Sequence, residues 1–116
     1  MTSPEPVRQV EEAIASIQIP GETASNPDAH CSYGMLFAKR SFQDSDATAN
    51  GIRSQLLERG WVEQGRRSFC LPSSPGLTAV VTRYHPTYWS EDDEERLGSL
   101  EVYRLLLHSP VECPVR

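Results

Sequence analysis

The chain has 116 residues, enough to build one hydrophobic core and too few for two. Hydrophobic residues make up 38% and charged residues 23%, which excludes the disordered regime, while sixteen acids against eleven bases leave a net charge of -5 that argues against gripping nucleic-acid phosphates. No run approaches the roughly 20 apolar residues that span a bilayer, and Met1 to Pro6 lacks the basic and apolar regions of a signal peptide.

As written, the chain is expected to be soluble and unprocessed: cytoplasmic if Met1 is the natural start, exported if the chain is a trimmed product. From the N-terminus, Thr2-Ser3-Pro4-Glu5 has the form of a capping box, and Val7, Val10, Ile14 and Ile17 follow at helical spacing. They predict an amphipathic helix over about residues 3 to 16. Residues 17 to 30, rich in Gly, Ser, Asn and Pro with hardly any apolar residue after Ile19, read as a mobile loop. Tyr33, Met35 and Phe37 then alternate with Gly34, Leu36 and Ala38, which suits a strand to Phe42 with one or both faces covered.

Asp44-Ser45-Asp46 supplies N-cap residues for a second helix whose stripe is Ala49, Ile52 and Leu56 and whose end is marked by Gly60. Trp61 follows that glycine, where an apolar residue folds back on the last turn. Dense punctuation at Gly65 and Pro72-Ser73-Ser74-Pro75-Gly76 divides a meander into Trp61 to Gln64, Arg67 to Leu71 and Leu77 to Tyr84. The stretch 90 to 108 fits either a third helix, from the spacing of Leu97, Leu100, Tyr103 and Leu107, or a final strand from Leu100 to His108 paired with the strand ending at Tyr84. Gly98-Ser99 in mid-pattern favours the strand. The expected fold is α+β in the order α-β-α-β-β-β-β: an antiparallel sheet of four to five strands with two helices packed on one face, a single domain over 1 to 116.

The three cysteines, Cys31, Cys70 and Cys113, match neither a redox CxxC nor a zinc site, so no metal and no cofactor is expected. Cys31 lies just before the first long strand and Cys113 just after the last. If those strands pair antiparallel, the ends meet, and a Cys31–Cys113 disulfide forms in an oxidising compartment with Cys70 left inside the meander. In a reducing cytosol all three are unlinked thiols.

The order helix, Ile17-Gln18-Ile19-Pro20-Gly21, strand, then a helix ending in Glu58-Arg59-Gly60-Trp61 and a β meander, resembles small exported domains of uncharacterised bacterial lipoproteins. The resemblance covers residues 17 to 84 and implies an α+β fold and export, with no activity attached. The chain departs from that pattern in lacking a signal peptide and a lipobox cysteine.

No nucleophile elbow, Walker loop, Gly-x-Gly-x-x-Gly or His-Glu-x-x-His motif is present. His30-Cys31 is the only local base and nucleophile pair, and on a strand the two side chains point to opposite faces, so catalysis is not expected. Glu91-Asp92-Asp93-Glu94-Glu95 lacks the spacing of an EF-hand loop. The segment before it holds Tyr84, His85, Tyr88 and Trp89 around Pro86, and Tyr and Trp are the residue types that carry interface energy. The function expected is a small acidic, non-catalytic binding module of the inhibitor, immunity or adaptor type. Tyr84, His85, Tyr88 and Trp89 would anchor a partner protein, and Asp92, Asp93, Glu94 and Glu95 would steer its basic surface. The alternatives are a cell-envelope domain holding a small ligand between helix and sheet, and a small enzyme of unrecognised type.

Overall fold

The computed structural model describes residues 5–32, 35–74, 76–84 and 96–105. In chain order the elements are α1 (Glu5–Ala15), β1 (Glu22–Ser32), β2 (Met35–Gln43), α2 (Asp46–Glu58), β3 (Val62–Glu63), β4 (Ser68–Cys70), β5 (Leu77–Thr82) and β6 (Leu97–Leu105). The strands form one antiparallel sheet in the order β1-β2-β6-β5-β4-β3, so β6, the last strand in the chain, lies near the middle of the sheet. Both helices pack on one face, α1 against β1, β2 and β6, and α2 against β3 and β5. The α+β architecture is the expected one, with six strands in place of four to five.

The extra strand is β1, which corrects the mobile loop expected over residues 17 to 30. Its residues are poor strand formers by composition, but an edge strand has only one neighbour to satisfy and hydrogen bonds to β2 hold it. The register slips between Glu22 and Ala24 and again between Asn26 and His30, the second slip enclosing Pro27, whose missing N–H an edge tolerates. The final stretch resolves as strand: β6 pairs with β2 over its whole length and with β5 from Thr82↔Ser99 to Leu77↔Arg104. Residues 1 to 4, which carry the expected capping box, lie outside the described residues.

The core sits between helices and sheet. Val10, Ile14 and Ile17 from the N-terminal segment, Leu36, Ala38 and Phe42 of β2, Ile52 and Leu56 of α2 with Trp61, Phe69, Ala79 and Val81 of β4 and β5, and Leu100 and Val102 of β6 form one buried cluster. Each such Leu, Val or Phe contributes about 1.5–3 kcal/mol by leaving water.

Local chemistry fixes the helix ends. Ser45 caps α2 by accepting from Thr48 N–H. At the other end Gly60, with φ +92°, lets Gly60 N–H reach Leu57 O and Trp61 N–H reach Leu56 O, and Trp61 is buried as the cap pattern required. The carbonyls at the end of α1 have no basic residue of their own helix. Arg40 of β2 serves instead, Nη1 donating to Ile14 O at 2.7 Å and Ile17 O at 2.6 Å while Nε and Nη2 hold the Glu22 carboxylate. That ion pair raises the Arg40 pKa, the Glu22 hydrogen bond being the largest cause.

Candidate binding face of the sheet

Strand alternation divides the sheet residues between two faces. Leu36, Ala38, Phe42, Phe69, Ala79, Val81, Leu100 and Val102 face the helices. The residues between them face away from both helices and form a second surface. One row of the register runs across it as His30, Phe37, Tyr103, Thr78 and Cys70, and the next as Lys39, Glu101, Val80 and Ser68. The His30 and Phe37 rings pack at 4.1 Å between centroids, tilted by 59°. Phe37, Tyr103, Thr78 and Met35 are half-buried on this face.

A pocket of about 450 Å³ opens on it, lined by Met35, Gln64, Ser68, Gly76, Thr78, Glu101 and Tyr103. That volume is within the range of ligand and side-chain pockets. Glu101 is the charged residue among these lining residues. It stands opposite Lys39 across the β2–β6 register, yet no ion pair joins the two, and the carboxylate has no salt bridge among the described residues. The arrangement offers an anionic oxygen beside an aromatic ring, a combination suited to a cation.

On the helix side a smaller pocket of about 100 Å³ is lined by Arg53, Arg67, Arg83, Asn50 and apolar residues of the core. Two of the three guanidiniums are already neutralised. Arg53 pairs with Glu63 at 2.8 Å, and Arg83 holds Asp44 at 2.6 Å and Asp46 at 2.9 Å. The Arg83 hydrogen bond is the main reason the Asp44 carboxyl lies below its usual pKa. These pairs tie α2 to β3 and β5 and offer no open anion site.

The residues singled out in the sequence fare differently. Tyr84, just past β5, is half-buried, with the Arg96 guanidinium carbon 5.7 Å from its ring centroid, within cation–π range. His85, Tyr88, Trp89, Asp92, Asp93, Glu94 and Glu95 lie outside the described residues, as do Cys113 and the Cys31 side chain. Cys70 is disulfide-bonded, which corrects the reading that left it unlinked in the meander. With three cysteines in the chain, a bond at Cys70 leaves only one other over, so the expected Cys31–Cys113 pair gives way. The strands expected to meet do pair, Met35 opposite Leu105, and β1 lies two strands from β6 just as β4 does, so it is the bond at Cys70 and not distance that displaces the expected pair.

Sequence reasoning did not single out Met35, Phe37, Glu101 and Tyr103 as site residues. Their signal was present: both alternating sets of β2 are apolar, and Glu101 and Tyr103 interleave with the buried Leu100 and Val102. Without the pairing of β2 to β6, nothing placed them on one surface. Among the described residues no group of three or more His, Cys, Asp or Glu is arranged to hold a metal, and every buried side-chain nitrogen or oxygen has a hydrogen-bond partner. Among the described residues no helix is long and apolar enough to cross a membrane. No family model, curated protein or solved structure matches the chain.

Proposed function

We propose that the protein is a non-catalytic binding module that engages another protein by taking a basic side chain into the pocket on the open face of its sheet. The observation that carries this reading is Glu101, without an ion pair among the described residues and flanked by Tyr103 in a pocket of about 450 Å³. A Lys or Arg entering there donates a charge-assisted hydrogen bond to the carboxylate and lies against the ring face of the tyrosine. Met35 and the apolar part of Thr78 cover its methylene stem. The net charge of -5 attracts a basic partner over a longer range.

A second reading keeps the contact on the aromatic and acidic segment from Tyr84 to Glu95. The stacking of Arg96 on Tyr84 supports it, because it brings the two ends of that segment together beside β5. The disulfide at Cys70 favours action in an oxidising compartment for either reading, in line with the export implied by the lipoprotein resemblance.

The test is an NMR titration of isotope-labelled protein with a hexa-arginine peptide at low salt. Shifts gathered at Met35, Ser68, Thr78, Glu101 and Tyr103 are expected, with affinity falling roughly tenfold in Glu101→Gln, the scale of one charged hydrogen bond. Shifts gathered at Tyr84 and Arg96, and lost in Trp89→Ala, transfer the function to the segment. Shifts spread evenly over the acidic surface and unchanged in both variants defeat both readings.

A further inference from the structure

Cys70 is 2% exposed although it lies on the face of the sheet that neither helix covers, and it stands apart from the contiguous core between helices and sheet. Its neighbours on that face, Val62, Ser68 and Thr78, are half-exposed. It is disulfide-bonded, and its partner is one of the two other cysteines of the chain. Strand order decides between them. Cys31 is on β1 and Cys70 on β4, with β2, β6 and β5 between. Four steps of about 4.8 Å put their backbones roughly 19 Å apart. A disulfide needs Cα atoms within about 7 Å of each other.

The length of chain between β6 and Cys113 allows the bond. β6 ends at Leu105, where Arg104 pairs with Leu77 and the next residue of β5, Thr78, pairs with Cys70. The chain therefore leaves β6 at the same end of the sheet as Cys70 and two strands away. Cys113 follows Leu105 by eight residues. Eight residues reach up to about 26 Å, against the roughly 10 Å between β6 and β4.

We infer that Cys70 is bonded to Cys113. The inference does not rest on the basic-partner reading. Formation converts two thiols to one disulfide. A disulfide-bearing oxidant takes up the two electrons and two protons and leaves as two thiols. Reduction reverses the step, so the redox state of the compartment sets whether Cys70 carries this bond.

Trypsin separates the three cysteines, placing Cys31 in residues 9–39, Cys70 in 68–83 and Cys113 in 105–116. The protein is equilibrated in a glutathione redox buffer, alkylated, digested without reductant and mapped by mass spectrometry. A covalent pair of 68–83 with 105–116, with 9–39 recovered alkylated, is the expected result. In folded Cys113→Ser, Cys70 should then react with iodoacetamide at least tenfold faster than in the oxidised wild type, and Cys31→Ser should leave the bond in place. A link from 68–83 to 9–39, a disulfide between two chains, or Cys70 recovered alkylated from the oxidised wild type would overturn the inference.

Discussion

Gly98 shows how a single residue carries a packing decision. In sequence it reads as a helix breaker, but its role is to make room. It pairs with Phe42 across β2 and β6, and a Cβ placed there would lie 2.7 Å from Thr82 O and 2.8 Å from two ring atoms of Phe42. The Phe42 ring, fully buried, lies over the glycine. Gly98→Ala is therefore expected to destabilise the fold by about 1–3 kcal/mol, the cost of overpacking against backbone and an immobile ring. Urea denaturation followed by circular dichroism measures it, and an unchanged midpoint would refute the packing account. Arg40 carries a comparable decision: only the antiparallel return of β2 beneath α1 brings its guanidinium to the Ile14 and Ile17 carbonyls.

Among the elements, α2 was the most legible. Ser45 as N-cap, the stripe Ala49, Ile52 and Leu56, Gly60 and the buried Trp61 all follow from local rules, and all stand in the structure. What local rules did not show is how α2 is fastened to the sheet. Arg83, after β5, grips Asp44 and Asp46 at the start of the helix, and Asp44 N–H donates to Arg96 O before β6. The side-chain amide of Gln55 bonds both backbone groups of Gln18, joining α2 to the chain leaving α1. The Arg83 contact depresses the Asp44 pKa. A carboxyl whose folded-state pKa is depressed adds stability that is present above its unfolded value and is lost as pH falls through the folded one. Wild-type stability should accordingly drop below about pH 4. Asp44→Asn should be less stable at pH 6 and converge on the wild type in acid, with a residual slope from Glu63, which Arg53 also holds low. Parallel curves for the two proteins in thermal melts from pH 6 to pH 2 would rule the contact out as a pH-linked support.

On the scale of the whole molecule, the topology joins the two halves of the sheet through its final strand. The chain builds β1 and β2, crosses by α2 to the far edge, and returns through β3, β4 and β5 until β6 closes the gap beside β2. The long-range pairing of β2 with β6 must form for the core to close. A Cys70–Cys113 bond ties down the two strands that make this return, and in the chain-entropy model a loop of that length contributes about 4 kcal/mol. Reduction with dithiothreitol should then lower the urea midpoint of the wild type and leave that of Cys113→Ser unchanged. Equal responses in the two proteins would deny the bond a structural role.

The sequence by itself determined the α+β class, both helices and most of the helix-borne core, because hydrophobic period, caps and turn residues act within a few neighbours and can be read there, whereas the final strand was settled only by its pairing with β2 and β5. Val10, Ile14, Ile52, Leu56 and Trp61 were legible for that reason. Only the tertiary structure decided that residues 22 to 32 are a strand, since an edge strand of weak propensity is held by its partner's hydrogen bonds. It alone decided that Glu101, Tyr103, Met35 and Phe37 share a face, and that Cys70 is bonded. Those relations depend on which strands become neighbours, and strand order is settled by the closing of one core over contacts tens of residues apart.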